Sequence, residues 1–279
     1  MGTIPGGEQG KRVSALHTLR AQSWRRKTQK YYRIRGGTDR LPREFARRLQ
    51  ERILYGAAVT HIENDPEKVT VHFERSSREA IPADYVVCSI PATILRTINI
   101  QPLFPNTKQR AIREVTYDSV TKVFLQTRTR FWSQEALSGF AVTDLPVNEF
   151  WDLSQPRQSQ RGIMCAYTTG PLAENLQNMD ETERIRFAAT HAGAIFRGMS
   201  GQLEGGASYC WNQDQWARGA YAYLARGQSP SMVAEVGRPE GRIHFAGEHT
   251  SAWPGWMQGA LESGYRAAKE INSRADLHA

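Results

Sequence analysis

Hydrophobic and polar positions alternate along several short stretches of the chain, as expected for β-strands. Residues 58–63 and 69–75 carry this pattern on either side of Asn64-Asp65-Pro66-Glu67, which predicts a hairpin with one buried face. Residues 85–90 are almost continuously apolar, which is typical of a strand covered on both sides. Further strands are predicted over residues 120–127, 163–168, 209–211 and 243–246.

Helix-like spacing marks segments between these strands. Leu41, Phe45, Leu49 and Ile53 recur every four residues, so they form one apolar helical face. A similar spacing predicts a helix over about residues 181–198. Because helices are interspersed with hairpins, the sequence predicts an α+β (mixed α/β) fold.

The carboxyl-terminal part combines a strand, a glycine and a helix. Residues 243–246 are predicted to form a buried strand, Gly247 breaks it, and a helix begins near Gly255 or Trp256. The predicted apolar side of this helix comprises Met257, Ala260, Leu261, Gly264, Ala268 and Ile271. Free N–H groups and the positive end of the helix dipole make such a junction an anion site. The same pattern also fits a core helix without a ligand.

Composition narrows the class of protein. Of the 279 residues 40% are hydrophobic and 23% are charged, which excludes a disordered or collagen-like chain. No apolar run reaches the roughly 18 residues that cross a bilayer, so we expect no membrane interaction. Cys88, Cys165 and Cys210 are far apart, which predicts buried thiols and a cytoplasmic, reducing location. They form no C-x-x-C pair, and no metal site is predicted.

The chain is basic, and the excess charge is unevenly distributed. Lysine and arginine number 36 against 28 aspartates and glutamates, a formal charge of +8. Many of the basic residues lie between Lys11 and Arg35, a segment that includes a predicted basic helix over residues 13–30. Nucleic-acid binding is one interpretation of such a surface. Because few aromatic residues are interleaved with them, a solvated face or a contact with an acidic partner chain is favoured.

The residues from Ile243 to Ala268 resemble the carboxyl-terminal flavin-binding motif of the flavin-containing amine oxidase family, which includes monoamine, polyamine and L-amino-acid oxidases. Other segments resemble the family in the same order along the chain: Tyr32–Pro42, the hairpin around Val59, Val86–Pro91, and Ser119–Val123 with Phe131–Trp132. Val142–Pro146 is closer to the L-amino-acid oxidases. The resemblance covers about residues 31–272.

The resemblance implies an FAD site at the carboxyl-terminal strand and helix. In the family, the positions of Gly247 and Glu248 approach the pyrophosphate and ribityl region. Trp256 and Met257 would approach the isoalloxazine from the start of the helix, and Val59 would contact the adenine. The protein would supply orientation and electrostatics to a redox reaction that belongs to the flavin.

The resemblance also implies catalytic roles. Lys122 would hold a water near flavin N5, Trp211 would pack against the ring system, and Tyr221 and Trp256 would form an aromatic cage over the substrate amine. Ordinary packing of these aromatic residues and a solvent-facing lysine are the alternative interpretations. Some monoamine oxidases attach the flavin through a cysteine at the position of Ala220, so non-covalent FAD is expected here.

The expected organisation follows from these assignments. Residues 1–30 form a basic amino-terminal segment or linker, and residues 31–90 form part of the FAD-binding region. Residues 91–235 form a substrate-binding domain with a mixed sheet and helices. Residues 236–279 complete the FAD-binding part with a strand and a helix.

One feature of the family is missing from the chain. Typical members have a strand, a G-x-G-x-x-G turn and a helix that hold the FAD diphosphate, and no such motif occurs here. We therefore expect a second polypeptide to supply the dinucleotide-binding half of a split or processed hetero-oligomeric oxidase. The expected reaction is oxidation of an amine or L-amino acid to the imine, with O2 reduced to H2O2. A truncated non-catalytic remnant or scaffold subunit is the first alternative, and a nucleic-acid-binding protein is the second.

Overall fold

The computed structural model describes residues 12–23, 32–154 and 159–275. The α-helices are α1 (Ala15–Ser23), α2 (Arg40–Leu49), α3 (Ala92–Leu95), α4 (Asn106–Glu114), α5 (Phe131–Gln134), α6 (Gly170–Leu176), α7 (Glu181–Ile195), α8 (Met199–Gln202), α9 (Pro230–Gly237) and α10 (Met257–Ala275). Short 3-10 turns cover Gln50–Arg52 and Glu248–Thr250. Across the ranges described, no helix has the length and apolar character that a membrane span requires. The predicted basic helix corresponds in part to α1, and residues 24–30 lie outside the described residues.

The β-strands are β1 (Ala58–Asn64), β2 (Val69–Glu74), β3 (Arg78–Ala83), β4 (Val86–Cys88), β5 (Asn99–Gln101), β6 (Thr116–Tyr117), β7 (Val120–Thr127), β8 (Ala141–Val142), β9 (Glu149–Asp152), β10 (Gly162–Thr169), β11 (Leu203–Cys210), β12 (Ala222–Tyr223) and β13 (Ile243–Phe245). The strand predicted over residues 120–127 coincides with β7. The short strand predicted at 209–211 is the end of the longer β11. This mixture of helices and sheets confirms the α+β class.

The chain divides into two compact units. Of the described residues, the first unit comprises 12–23, 49–117 and 216–275, and the second comprises 32–48, 118–154 and 159–215. Residues 91–117 and 216–235, which the sequence analysis places in the substrate-binding domain, belong to the first unit. The reason lies in their packing, because α4 contacts α9 and β6 pairs with β12.

The first unit contains a four-stranded sheet in the order β3–β2–β1–β5 and a two-stranded parallel sheet of β13 and β4. The predicted hairpin is formed by β1 and β2, whose register shifts between Val59 and His61. This bulge lets both Val59 and Ile62 pack against the core. The buried core of this unit includes Ile62, Val69, Leu95, Ile100, Phe104, Ile112, Ile243 and Phe245.

The second unit is built on a five-stranded sheet in the order β11–β7–β10–β9–β8. Helix α7, which the sequence predicts, begins with a capping box. The Asp180 side chain accepts a 2.8 Å hydrogen bond from the Glu183 N–H, and the Glu183 carboxylate accepts one from the Asp180 N–H. One face of α7 shares a hydrophobic core with this sheet, and the members include Val123, Leu125, Trp132, Phe150, Ala188, Ala192 and Phe196.

The predicted apolar side of α10 is wrong, because its larger members face away from the core. The buried positions of this helix are Gly259, Ser263 and Ala267. Met257 and Leu261 are 48% and 44% exposed, and Tyr265 is 65% exposed. A Cβ atom added at Gly259 would overlap Ser251 and the Trp253 carbonyl, so the close approach of the helix selects small side chains. Met257, Leu261 and Tyr265 therefore form an exposed row, called here the α10 stripe.

Candidate functional site

The junction between β13 and α10 depends on a glycine. Gly247 has a φ of +115°, a conformation that L side chains rarely adopt, and a Cβ atom there would overlap the His249 ring. The Gly247 N–H donates a 2.8 Å hydrogen bond to Ser263 Oγ. This bond ties the end of the strand to the buried side of α10. The sequence analysis identified the glycine correctly as the break in the strand.

Arg266 holds the same junction from the helix. Its guanidinium donates hydrogen bonds to the Phe245 carbonyl at 2.5 Å and to the Thr250 carbonyl at 3.0 Å. Glu270 lies 3.3 Å from Arg266 Nε and 2.9 Å from Nδ1 of the fully buried His244. Hydrogen bonds and ion pairs thus join the strand end, the 3-10 turn and the helix.

Glu248 braces the turn that precedes α10. Its Oε2 accepts a 2.5 Å hydrogen bond from the Gly255 N–H. Burial raises the pKa of this carboxyl, and hydrogen bonds from the Gly255 and Ala222 amides oppose the rise. The role implied by the resemblance was contact with FAD. The structure places the carboxylate against this chain's own backbone amides, where it joins β12 to residues 253–256.

Tyr221 and Trp256 border the same turn. Gly255 has a φ of +77°, and a Cβ atom there would lie 3.1 Å from Tyr221 Cγ, so the tyrosine ring lies directly against the glycine. Trp256 is the next residue along the chain, and it is 37% exposed. The two members of the predicted aromatic cage are therefore neighbours within the first unit, next to the start of α10.

The amino terminus of α10 carries hydrogen-bond donors. The amides of Met257 and Gln258 have no partner among the residues that the structure describes. They lie at the positive end of a 19-residue helix, beside the exposed indole of Trp256. N–H donors suit a phosphate or a ring carbonyl, and an exposed indole suits a planar ring, so these residues fit a flavin nucleotide.

The sequence analysis did not identify two groups near this junction, the partly buried Tyr117 and the buried His249. Tyr117 Oη accepts a 3.2 Å hydrogen bond from the Ala92 N–H, and burial, together with the charge of Glu248, raises its pKa. His249 is buried, and the loss of solvent lowers its pKa to about 4, so its ring is neutral near pH 7. No sequence motif identifies Tyr117 or His249, because the residues that surround each of them come from other parts of the chain.

Lys108 is a fully buried lysine that contacts the carboxyl-terminal end of α9. Lys108 Nζ donates hydrogen bonds to the carbonyls of Glu235 and Val236 at 2.8 Å and of Arg238 at 2.5 Å. These carbonyls end α9, so the ammonium group caps that helix. Burial lowers the pKa of Lys108 to about 8. The sequence analysis did not identify it, since its acceptors lie more than 120 positions further along the chain.

Lys122 and Trp211 lie in the second unit. Lys122 is directly opposite Tyr167 on β10 and Tyr209 on β11, and Tyr167 is directly opposite Glu149 on β9. The four side chains form one row across the sheet, with Lys122 Nζ 5.8 Å from the Tyr167 ring centre. Trp211 follows β11, and its ring centre lies 4.8 Å from that of Tyr209. The lysine is therefore set among aromatic rings.

The same row contains a buried carboxyl group. Glu149 Oε2 accepts a 2.9 Å hydrogen bond from Trp151 Nε1. Burial raises the pKa of Glu149, and the hydrogen bond from Trp151 opposes the rise. The sequence offered no signal for Glu149 or Tyr167, because their position beside Lys122 is set by the register of β7, β10 and β9.

Comparison with known proteins identifies the family of this chain. The family model described as flavin containing amine oxidoreductase matches residues 9–272, and the chain belongs to this family. YobN of Bacillus subtilis (strain 168) is 31% identical over 269 residues, which cover 93% of this chain and 56% of that protein. The L-amino-acid oxidase of Gloydius halys is 29% identical over 290 residues and is also covered to 56%.

Solved structures show the same fold. A triple mutant of putrescine oxidase has a TM-score of 0.79 at 23% identity, over 86% of this chain and 53% of that one. Cyclohexylamine oxidase from Brevibacterium oxydans IH-35A has a TM-score of 0.78 at 22% identity, with the same shares covered. The chain thus spans little more than half the length of these relatives.

Proposed function

We propose that this chain is part of an FAD-dependent oxidase that converts an L-amino acid to its imine. The Cα–H bond and one N–H bond of the substrate break and a C=N bond forms, and the two electrons and two protons released reduce O2 to H2O2. The family match, which extends from the amino-terminal region to α10, is the observation that carries this proposal. Relatives named L-amino-acid oxidases favour an amino acid over a simple amine as substrate.

Residues at the β13–α10 junction would hold the cofactor. The free amides of Met257 and Gln258 would donate hydrogen bonds to it, and Gly247 would let it approach the backbone. Val59 would contact the adenine end. FAD supplies the two-electron acceptor when it is bound. Trp256 and Tyr221 would orient the substrate amine and exclude water.

Lys122 would act in the step in which O2 is reduced. Its cationic side chain, set between Tyr167 and Tyr209, would hold a water and favour the negative charge that develops on O2. Trp211 would pack against the ring system of the flavin. These assignments follow the resemblance, and the aromatic surroundings of Lys122 support them.

The alanine at position 220, where some monoamine oxidases have the flavin-linked cysteine, supports the proposal that FAD is bound non-covalently. Cys88, Cys165 and Cys210 are buried free thiols, as the sequence predicts. Burial raises the pKa of Cys88 and of Cys165, which disfavours the reactive thiolate. Acid precipitation of the loaded enzyme should therefore release all of the flavin into the supernatant. Flavin that stays with the pellet would contradict this assignment.

The dinucleotide-binding half would be supplied by a second polypeptide. Two surfaces of the first unit fit such a partner: the α10 stripe, and the edge of β4 that is not paired with β13. Val87 of β4 is 43% exposed. Parallel strands usually belong to larger sheets with covered faces, so β4 suits the addition of a parallel strand. We propose that the strand of a G-x-G-x-x-G unit binds there.

Co-purification from the native host tests the proposed function. We expect a yellow complex with a second polypeptide, identified by mass, that produces H2O2 from L-amino acids. If the chain is colourless and FAD does not change its melting temperature, with or without a co-purified partner, the scaffold alternative is supported. Binding to random DNA that falls steeply with salt would support the nucleic-acid alternative.

Matched variants of α10 test the partner surface. Leu261→Asp places a charge in the α10 stripe and should abolish co-purification of the partner. Ser273→Asp makes the same change in charge at an exposed position of the helix outside the stripe and should leave the complex intact. Equal loss of the partner in both variants would argue against the stripe as the contact.

A further inference from the structure

A cluster of two histidines and a glutamate lies on the open face of the β1–β2 hairpin. Nε2 of His61 is 3.4 Å and Nε2 of His72 is 3.2 Å from the same Glu63 oxygen, Oε1. The two imidazole rings are 5.0 Å apart between their centres. One donor atom from each residue lies within 4.8 Å of the other two.

Strand geometry explains this convergence. His61 and His72 are directly opposite in the antiparallel pair, and Glu63 lies two residues after His61 on the same face. The intervening Ile62 points the other way, into the core. The register shift before His61 allows Val59 to pack on the core face while His61 and Glu63 occupy the opposite face.

One of the donor atoms lacks a hydrogen-bond partner among the described residues. Nε2 of His72 is shielded from solvent and has no hydrogen-bond partner among the described residues, although Glu63 Oε1 is only 3.2 Å away. An orphaned ring nitrogen of this kind costs stability unless something binds it. The side chains of His61, His72 and Glu63 are 19%, 35% and 44% exposed, so an ion can reach them.

We propose that His61, His72 and Glu63 bind a divalent transition-metal ion of the Zn²⁺ type. Metal–ligand bonds of about 2.0–2.1 Å in a tetrahedron separate neighbouring donors by about 3.3–3.5 Å, and the observed separations from Glu63 Oε1 agree with this. Imidazole nitrogen and carboxylate oxygen are both ligands of Zn²⁺. With three protein ligands, a water molecule takes the fourth position. The metal would cross-link β1 to β2 and stabilise the strand that carries Val59.

Zinc titration of the chain, free of any affinity tag and treated with a chelator, tests this site. We expect saturable binding of one Zn²⁺ per chain by calorimetry, and a melting temperature that rises with free zinc until the site is full. Co²⁺ should give the intense visible absorption of a tetrahedral complex. Both measurements use the unaltered chain and do not depend on bound flavin or on oxidase activity, so the site can fail while the proposed function stands.

A matched pair of variants locates the ion. His72→Gln should reduce zinc affinity by at least about 10-fold and remove the Co²⁺ absorption. His191→Gln, on α7 of the second unit, should keep both. No saturable binding to the unaltered chain, or equal binding to both variants, would overturn the proposal.

Discussion

Lys108 Nζ lies 3.7 Å from the centre of the Phe245 ring. The same ammonium group caps α9, so one fully buried side chain joins that helix to the strand that ends at Gly247. A cation over an aromatic face in a desolvated position contributes up to about 2 kcal/mol. The position of β13 therefore depends on a lysine that no motif would single out.

Replacing Lys108 by methionine should destabilise the first unit. The apolar side chain keeps the volume but leaves the carbonyls of Glu235, Val236 and Arg238 without a donor. We expect the free energy of unfolding to fall by about 3 kcal/mol, measured by urea denaturation. Lys68→Met, at an exposed position of the hairpin turn, is the control and should change it by less than about 0.5 kcal/mol.

Acid should destabilise the chain through His249. Its folded-state pKa of about 4 lies below the ordinary value of 6.5, so the unfolded state takes up the proton first as the pH falls. The stability that comes from the neutral His249 ring is complete above pH 6.5 and falls as the pH is lowered to about 4. The total loss in the free energy of unfolding is about 3 kcal/mol. His249→Asn should flatten the stability curve in that window, and His191→Asn should leave its slope unchanged. An equal slope in the His249 variant would refute this account.

Gly255→Ala and Gly264→Ala should have opposite effects. At Gly255 the φ of +77° and the Tyr221 ring both oppose a side chain, so the variant should lose about 1–2 kcal/mol. A Cβ atom at Gly264 would meet no atom within 4 Å, and alanine should add about 0.5–1 kcal/mol inside α10. Thermal melting of both variants measures the difference. A loss at Gly264 as large as that at Gly255 would contradict the role of the turn.

Lys122→Met should separate the two halves of the proposed reaction. In the assembled, FAD-loaded enzyme we expect reoxidation by O2 to slow by on the order of 100-fold, because the cation beside the developing charge is removed. Flavin content and anaerobic reduction by substrate should remain close to those of the unaltered enzyme. Stopped-flow absorbance resolves both steps. Unchanged oxygen kinetics would exclude this role for Lys122.

Sequence pattern predicted the elements far better than it predicted their surroundings. The alternation in residues 120–127 matches β7 at both ends, because half-buried strands show a period of two directly. The helix after Trp256 also forms where predicted, but its buried side is made of Gly259, Ser263 and Ala267. Close packing against the Gly247 junction overrides hydrophobicity there.

The candidate sites were predicted unevenly for the same reason. Gly247 and Trp256 belong to a recognisable local motif, and the structure places Tyr221, a residue from outside that motif, beside Gly255 and Trp256. The carbonyl acceptors of Lys108 and the pairing of His61 with His72 arise from tertiary packing and strand register. A single sequence does not encode such pairings in any local spacing, so they emerge only in three dimensions.

The exposed row on α10 begins at Met257, directly after the tryptophan assigned to the flavin. A protein bound along that row would therefore shield the indole and the free amides at the same time. Retention of FAD would then depend on the association of the two polypeptides. The flavin content of a preparation would report how much of it is assembled.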